Sequence, residues 1–357
     1  ACSCFFVFRG GRWKMPVPTH EALKGVSAYD ILLEKLKHAK AAEIVKTMEH
    51  FVASFLKMDI DASSQSPQEE EKPWNVIQAF LERVTGQMRE SAVWSGEEPK
   101  EWEATLIATE SFIFRKIGHK IDSEEELQQN TELFGRIKSL AFISVEHLEM
   151  TARPKSEEEW ATAEGMIRSL SREAGPTAKI QIIVELSREI MRVLTEACQQ
   201  NGSHALPGAD DFLPAMILVV KRANPPTLHS DLKLIYQYSA PVRLMSEAGY
   251  VFTHLQSAVA FLRTLDATAL SITPSDFDRG MRRCQEQARQ DMARTLSGIE
   301  DGGASGKETS LRTTDRNGGA GGISRQQQQQ QPEEGGPSNP QESLDIREVR
   351  GLRAGGS

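Results

Sequence analysis

Apolar residues recur along most of this chain at three- and four-residue spacing, the period of a helix buried on one side. Ile44, Met48, Phe51 and Phe55 fall on one such face, and Val76, Ile77, Phe80, Leu81 and Val84 on the next. Leu106, Ile113 and Ile117 mark a third helix, and Ile137, Leu140 and Ala141 a fourth. The polar run 59–73 between the first two predicts a solvated loop. "TARPKSEEE" after Met150 opens another helix, with Ser156 as N-cap and Glu159 closing a capping box. That helix buries Trp160, Met166, Ile167 and Leu170, and a long one after Pro176 carries Ile180, Ile183, Val184, Ile190, Met191 and Leu194. Alternation of period two bounded by turn residues, the mark of a strand, is absent.

Past Leu206 the chain stays helical but is more apolar and more tightly punctuated. "ANPP" at 223–226 ends the helix begun by "DDFLP", Ser230 or Asp231 starts a short one, and Pro241 opens the next. "ITPSDF" sets Thr273 as cap, Pro274 at the first helical position and Asp276 in the first turn. The last helix presents Phe277, Met281, Cys284, Met292 and Leu296 on one face. Beyond Ser297 the composition falls to Gly, Ser, Arg and Gln, with six glutamines at 326–331, too little apolar surface to offset the entropy of ordering. The pattern predicts an all-α protein: an unstructured leader at 1–27, a helical bundle at 28–153, a second layered helical domain at 154–297 packed on it, and a disordered tail at 298–357.

Composition narrows what such a fold can do. A net charge of −8 gives no general attraction to nucleic acid or to an anionic membrane, so no nucleic-acid partner is expected. Cys2, Cys4, Cys198 and Cys284 form no CxxC pair and no disulfide framework, which suits a reducing, cytosolic compartment. "CFFVF" near the start is too short for a signal-peptide core. The stretch before Met15 reads as upstream leader or as sequence incomplete at its start, with an organellar transit segment as the remaining alternative. "GGASGKET" at 302–309 imitates a phosphate-binding loop, but Asp301 stands where its first glycine should and Glu308 where Ser or Thr should follow the lysine. No HExxH, GxSxG or ligand-spaced histidine pair occurs, so neither a metal nor a cofactor is expected. A small-molecule site would need inward-facing carboxylate pairs or Glu-x-x-His sets, and "EHLEM" at 146–150 supplies none.

The remaining chemistry lies in "LPGADDFLP", residues 206–214, where two aspartates precede a proline in the first turn of a helix. Proline has no amide to donate. With Asp211 as N-cap, Pro214 falls at a position whose amide is unpaired anyway. That reading makes Asp211 structural and leaves Asp210 one step outside the helix as a free carboxylate. Taken alone, such an aspartate is merely solvated.

Its context changes this. "GADDFLP", "ANPP-x-LHS-x-L", "RLMSE-x-GY", "F-T" and "DFDR", in order between Gly208 and Met281, strongly resemble the vacuolar-sorting Vps-nine domain. "AYDILLEKLKHAKAAEIVKTMEHFVASF" and "LAFISVEHLEM" resemble the helical bundle that precedes it in plant-type members, so the likeness covers about Tyr29 to Arg283. The chain departs from the usual pattern at Val251, where a second aromatic is common, at His254, where asparagine is, and at Val242, where serine is. The ubiquitin-binding zinc finger of some animal relatives is absent.

The resemblance implies a guanine-nucleotide exchange factor with no covalent chemistry. Its implied partner is a Rab-five-type small GTPase, GDP-bound and nucleotide-free, and its implied place is the cytoplasm, with recruitment to endosomal membranes through partners. It implies that Asp210 enters the nucleotide site against the P-loop lysine, while Pro214, Tyr250 and Thr253 lie against the switch regions. Tyr250 and Thr253, three apart, share a helical face; read structurally they would be a half-buried core aromatic and an incidental helix residue. Residues 216–220 and Val259, Phe261 and Leu262 read as core rather than contact, and the bundle as a brace. The alternative is a helical scaffold that binds a GTPase or another trafficking partner without exchange.

Overall fold

The computed structural model describes residues 27–201, 207–245 and 247–301, together with two short strands near the start of the chain. Twelve helices appear among these residues: α1 Ala28–Leu36, α2 Ala42–Phe55, α3 Ile60–Ser64, α4 Pro73–Glu90, α5 Pro99–Ile121, α6 Glu124–Ser139, α7 Ala161–Ser169, α8 Pro176–Gln200, α9 Ala209–Ala223, α10 Leu228–Tyr238, α11 Glu247–Thr264 and α12 Pro274–Asp301. The all-α expectation holds. The strands Val7–Arg9 and Arg12–Lys14 pair antiparallel, with Phe8 opposite Trp13, inside the segment expected to lack structure. Three-residue strands are too short to show alternation, but aromatic and β-branched residues either side of a Gly-Gly pair favour a hairpin. Helix α12 runs on to Asp301, past the expected end at Ser297. The glutamine run, the imitation phosphate loop, Cys2, Cys4 and the side chains of Met292 and Leu296 lie outside the described residues.

Two cores form. Leu32, Met48, Phe55, Ile77, Phe80, Val84, Ile113 and Ile117 from α1, α2, α4 and α5 make the first, in which Phe51 stacks on Phe80 with ring centroids 3.7 Å apart. The second gathers residues from α6 onward, including Leu133, Ile137, Leu140 and Ile143. The cores therefore divide between α5 and α6, and the joint expected at 153/154 falls inside the second of them. Periodicity showed that α6 has an apolar face; it carried no information on which lobe covers it.

Capping explains most boundaries. Ser156 and Glu159 close the expected box, and the Asp276 amide donates to Thr273 Oγ1 at 3.2 Å. Asn224, in the left-handed conformation at φ 41°, ends α9 before Pro225 and Pro226. Two expectations shift. The solvated stretch 59–73 contains α3, capped by Asp59, whose carboxylate accepts from the Ala62 amide at 3.0 Å. Helix α10 starts at Leu228 rather than at Ser230 or Asp231, because Asp231 is drawn inward to a buried ion pair with Lys179 at 2.6 Å.

The lobes interlock through polar as well as apolar groups. Glu110 of α5 accepts from the Thr177 amide at 2.8 Å and from its hydroxyl at 3.0 Å, supplying a carboxylate to the first turn of α8. Burial pushes the Glu110 carboxyl up, opposed by those two bonds. A Cβ at Gly175 would lie 2.8 Å from Ser111 Oγ and 3.1 Å from the Ser111 amide, so a larger residue there would have to displace Ser111. Tyr238, at the end of α10, is buried in the first core with its ring edge-on to Phe114 at 5.9 Å.

Lys221, in the last turn of α9, donates to the Ile143 carbonyl at 2.6 Å, and burial pulls its pKa down to about 8. Between pH 8 and the ordinary lysine value of 10.5, the unfolded chain holds a proton that the folded chain has released. Stability therefore rises with pH across that window, by at most about 3 kcal/mol. Lys221→Met is expected to flatten this rise in chemical denaturation series run through the window; an unchanged slope would contradict it. No helix among the described residues is long and apolar enough to cross a membrane.

Candidate GTPase-contact site

The first turn of α9 separates the two aspartates in a way the sequence reading only half anticipated. Gly208, not Asp211, is the N-cap, and Asp211 lies at the third helical position, its carboxylate accepting from the Gly208 amide at 3.0 Å. This is half a capping box, since glycine has no side chain to return the bond. The Thr151 hydroxyl donates to the other Asp211 oxygen. Pro214 is then inside the helix, and the Asp210 carbonyl loses the amide partner that a residue four positions on would supply. The expected cap position weighed that one lost bond alone. The two bonds Asp211 makes at the third position outweigh it and start the helix earlier.

Asp210, expected one step outside the helix as a free carboxylate, lies inside it. It is exposed, at the second position of the helix, and makes no hydrogen bond or ion pair among the described residues. Its amide side faces the positive end of the helix, where a carboxylate is favoured.

Helix α11 packs along α9 and brings the other candidates alongside. Phe212 is buried, and its ring meets His254 edge-on at 5.4 Å; His254 in turn lies 4.2 Å from the Tyr250 ring. His254 Nδ1 is 2.9 Å from the Tyr250 carbonyl oxygen. A carbonyl only accepts, so Nδ1 carries the proton. An imidazole where asparagine is usual thus bridges the two helices and backs the tyrosine. Tyr250 is 53% exposed, which rules out the core role a lone tyrosine would be assigned. Thr253 is exposed beside it, with its hydroxyl turned back to the Gly249 carbonyl at 2.9 Å. Pro214 is half-buried. Residues 216–220, Val259 and Leu262 are buried and Phe261 partly so, as expected of core. Val251 is buried at 3% and so makes no surface contact.

The sequence marks one further stretch only as part of the motif, with Val242 as a departure from it, and does not announce its exposure. Pro241–Leu244 forms a single 3-10 turn seated on the start of α11, and Val242 and Met245 stand 68% and 63% exposed. A Cβ at Gly249 would overlap the Leu244 carbonyl oxygen, so glycine is what lets the turn sit against Tyr250's helix. Val242 and Met245 on either side of Arg243-Leu244 were the available signal, but the proline before them suggested an ordinary helix start.

Among the described residues no cluster of His, Cys, Asp and Glu could hold a metal ion. What the surface offers is an exposed carboxylate with no hydrogen bond or ion pair among the described residues, on a helix packed against the one that carries the exposed Tyr250. Residues 160–267, which contain all four candidates, match the vacuolar sorting protein 9 (VPS9) domain. The chain carries a VPS9 domain. It is 30% identical over 263 residues to vacuolar protein sorting-associated protein 9A of Oryza sativa subsp. japonica, covering 73% of this chain and 53% of that protein. It is 29% identical to the Arabidopsis thaliana protein of the same name, covering 70% and 47%. It is 27% identical to the Rab5 GDP/GTP exchange factor of Homo sapiens, covering 69% and 49%. The chain thus spans about half the length of the relatives it matches. The VPS9 match begins at Trp160, whereas the core that supports it begins with Leu133 on α6.

Proposed function

We propose that this protein promotes GDP release from a Rab-five-type small GTPase, with Asp210 as the operative carboxylate. The observation that carries this reading is an exposed Asp210, with no hydrogen bond or ion pair among the described residues, on the same helix as Pro214 and on a helix packed against that of Tyr250 and Thr253, within the stretch that matches the VPS9 domain. The relative named as a Rab5 GDP/GTP exchange factor supports the class of partner.

A small GTPase holds GDP through a P-loop lysine, backbone amides and Mg²⁺. A carboxylate brought to that lysine replaces the β-phosphate as its partner and repels the phosphate. Tyr250, Thr253 and Pro214 hold the switch regions away from the metal. Because binding free energies couple reciprocally, nucleotide and exchanger weaken each other, and incoming GTP releases the protein. No covalent bond is made or broken. The protein acts from the cytoplasm on GTPases at endosomal membranes, recruited there by partners.

Release of a fluorescent GDP analogue from a panel of purified Rab GTPases tests the proposal. Acceleration confined to Rab-five-type members is expected. Binding to a Rab with no acceleration of release would replace exchange by a scaffold role.

A further inference from the structure

The apolar edge formed by Val242 and Met245 is tied to the first lobe at two places. Tyr238, three residues before Pro241, is 3% exposed and packs in the first core against Phe114. Gln78 of α4 donates to the Tyr238 carbonyl at 2.7 Å, across 160 residues of sequence. Arg243, within the turn itself, reaches Glu103 of α5 at 3.8 Å. On its other side the turn rests on Gly249, adjacent to Tyr250. The segment is therefore held between the bundle and the start of α11, and its two exposed side chains belong to the stretch that abuts α11 at the residue before Tyr250.

The exposure of these residues fits contact better than packing. Val242 and Met245 are more exposed than Tyr250 itself, at 68% and 63% against 53%, whereas Val251, Phe252, Leu255 and Val259 of the adjoining α11 are buried. Exposed apolar side chains on a stretch that abuts the helix of a proposed contact residue point to an interaction surface.

We propose that Val242 and Met245 extend the GTPase contact, and that Tyr238 is the positioning residue through which the first lobe sets where that edge stands. This rests on the exchange reading above, with the same GTPase as the occupant. It gives the bundle a role in affinity, as well as in support, without any contact between bundle and GTPase.

The test is steady-state exchange on the GTPase that responds, with kcat and KM separated, using the full chain. Val242→Ser with Met245→Ser is expected to raise KM roughly tenfold, leaving kcat and the melting temperature near wild type. Tyr238→Leu is expected to raise KM in the same direction, and Tyr238→Phe, which keeps the ring, to behave as wild type. Should Tyr238→Leu fail to fold, Gln78→Ala, which removes only the bond to the Tyr238 carbonyl, serves in its place and is expected to raise KM. An unchanged KM in the double serine variant, with Asp210→Ala still impaired, would overturn the extended contact and leave the exchange reading intact. A raised KM there but not in Tyr238→Leu or Gln78→Ala would overturn the positioning role. Loss of the exchange reading itself would appear differently, as wild type accelerating no GTPase.

Discussion

Asp210→Ala is expected to slow GDP release by about tenfold to a hundredfold while leaving the folded protein as stable as wild type. The magnitude follows from one charge-assisted hydrogen bond, about 1.5–3 kcal/mol, realised in the transition state for release. Stability is spared because Asp210 is exposed and has no hydrogen bond or ion pair among the described residues. A nanomolar nucleotide complex holds about 12 kcal/mol, so the remainder of the work must come from displacing the switch regions. Asp210→Asn preserves size and loses the charge; it should fall with the alanine variant if charge is what acts. The neighbouring Asp211→Ala is expected to behave in the opposite manner, losing about 1 kcal/mol of stability through its bonds to Gly208 and Thr151. Exchange kinetics and thermal melts on the three variants check this. An Asp210→Ala protein with full activity would remove the mechanism.

The largest effect on folding is expected at Lys179. Its ammonium donates to Asp231 and to the Leu170 carbonyl, each at 2.6 Å, and the two side chains are 4% and 7% exposed. Asp231 also accepts from the Thr227 hydroxyl at 2.8 Å. Lys179→Met leaves a buried carboxylate with one hydroxyl for company, a change that costs about 3–5 kcal/mol in comparable cases. In a fold of this size that corresponds to roughly 10 °C of melting temperature. The companion variant Lys179→Met/Asp231→Leu removes both charges and should recover most of the loss, because what is costly is the unpaired ion. Equal melting temperatures for the single and double variants would refute this.

The helices were largely legible in the sequence because each needs only a local apolar face. Ile77, Phe80 and Val84 recur at helical spacing and are buried as that spacing requires. What was not legible depends on distant partners. Ile137, Leu140 and Ala141 marked α6 as a helix with an apolar face, yet only the fold shows that α7 through α11 share its core. Tyr238 reads as the last turn of a short helix, and nothing near it announces Phe114 or Gln78. At the candidate site the motif blocks singled out Asp210, Pro214, Tyr250 and Thr253, which the structure puts on two packed helices, with Asp210 inside α9 rather than one step outside it. Local accounting misassigned the cap, because the Thr151 hydroxyl that helps hold Asp211 at the third position comes from 60 residues away. Val242 stood out only as a departure from the pattern and Met245 only within a motif block, because exposure is a property of the surface and leaves no period in the chain.

The carboxylate that Glu110 lends to the first turn of α8 bears on where this molecule could be cut. A fragment starting at Trp160 would keep every residue of the recognition signature. It would also leave the Thr177 amide and hydroxyl without their acceptor, strip Leu133, Ile137, Leu140 and Ile143 from the core, and take from the Leu262 carbonyl the guanidinium of Arg136 that donates to it at 3.3 Å. The portable unit for transplantation into another protein therefore starts no later than α5: the stretch that can be recognised and the stretch that can stand alone are different lengths of the same chain.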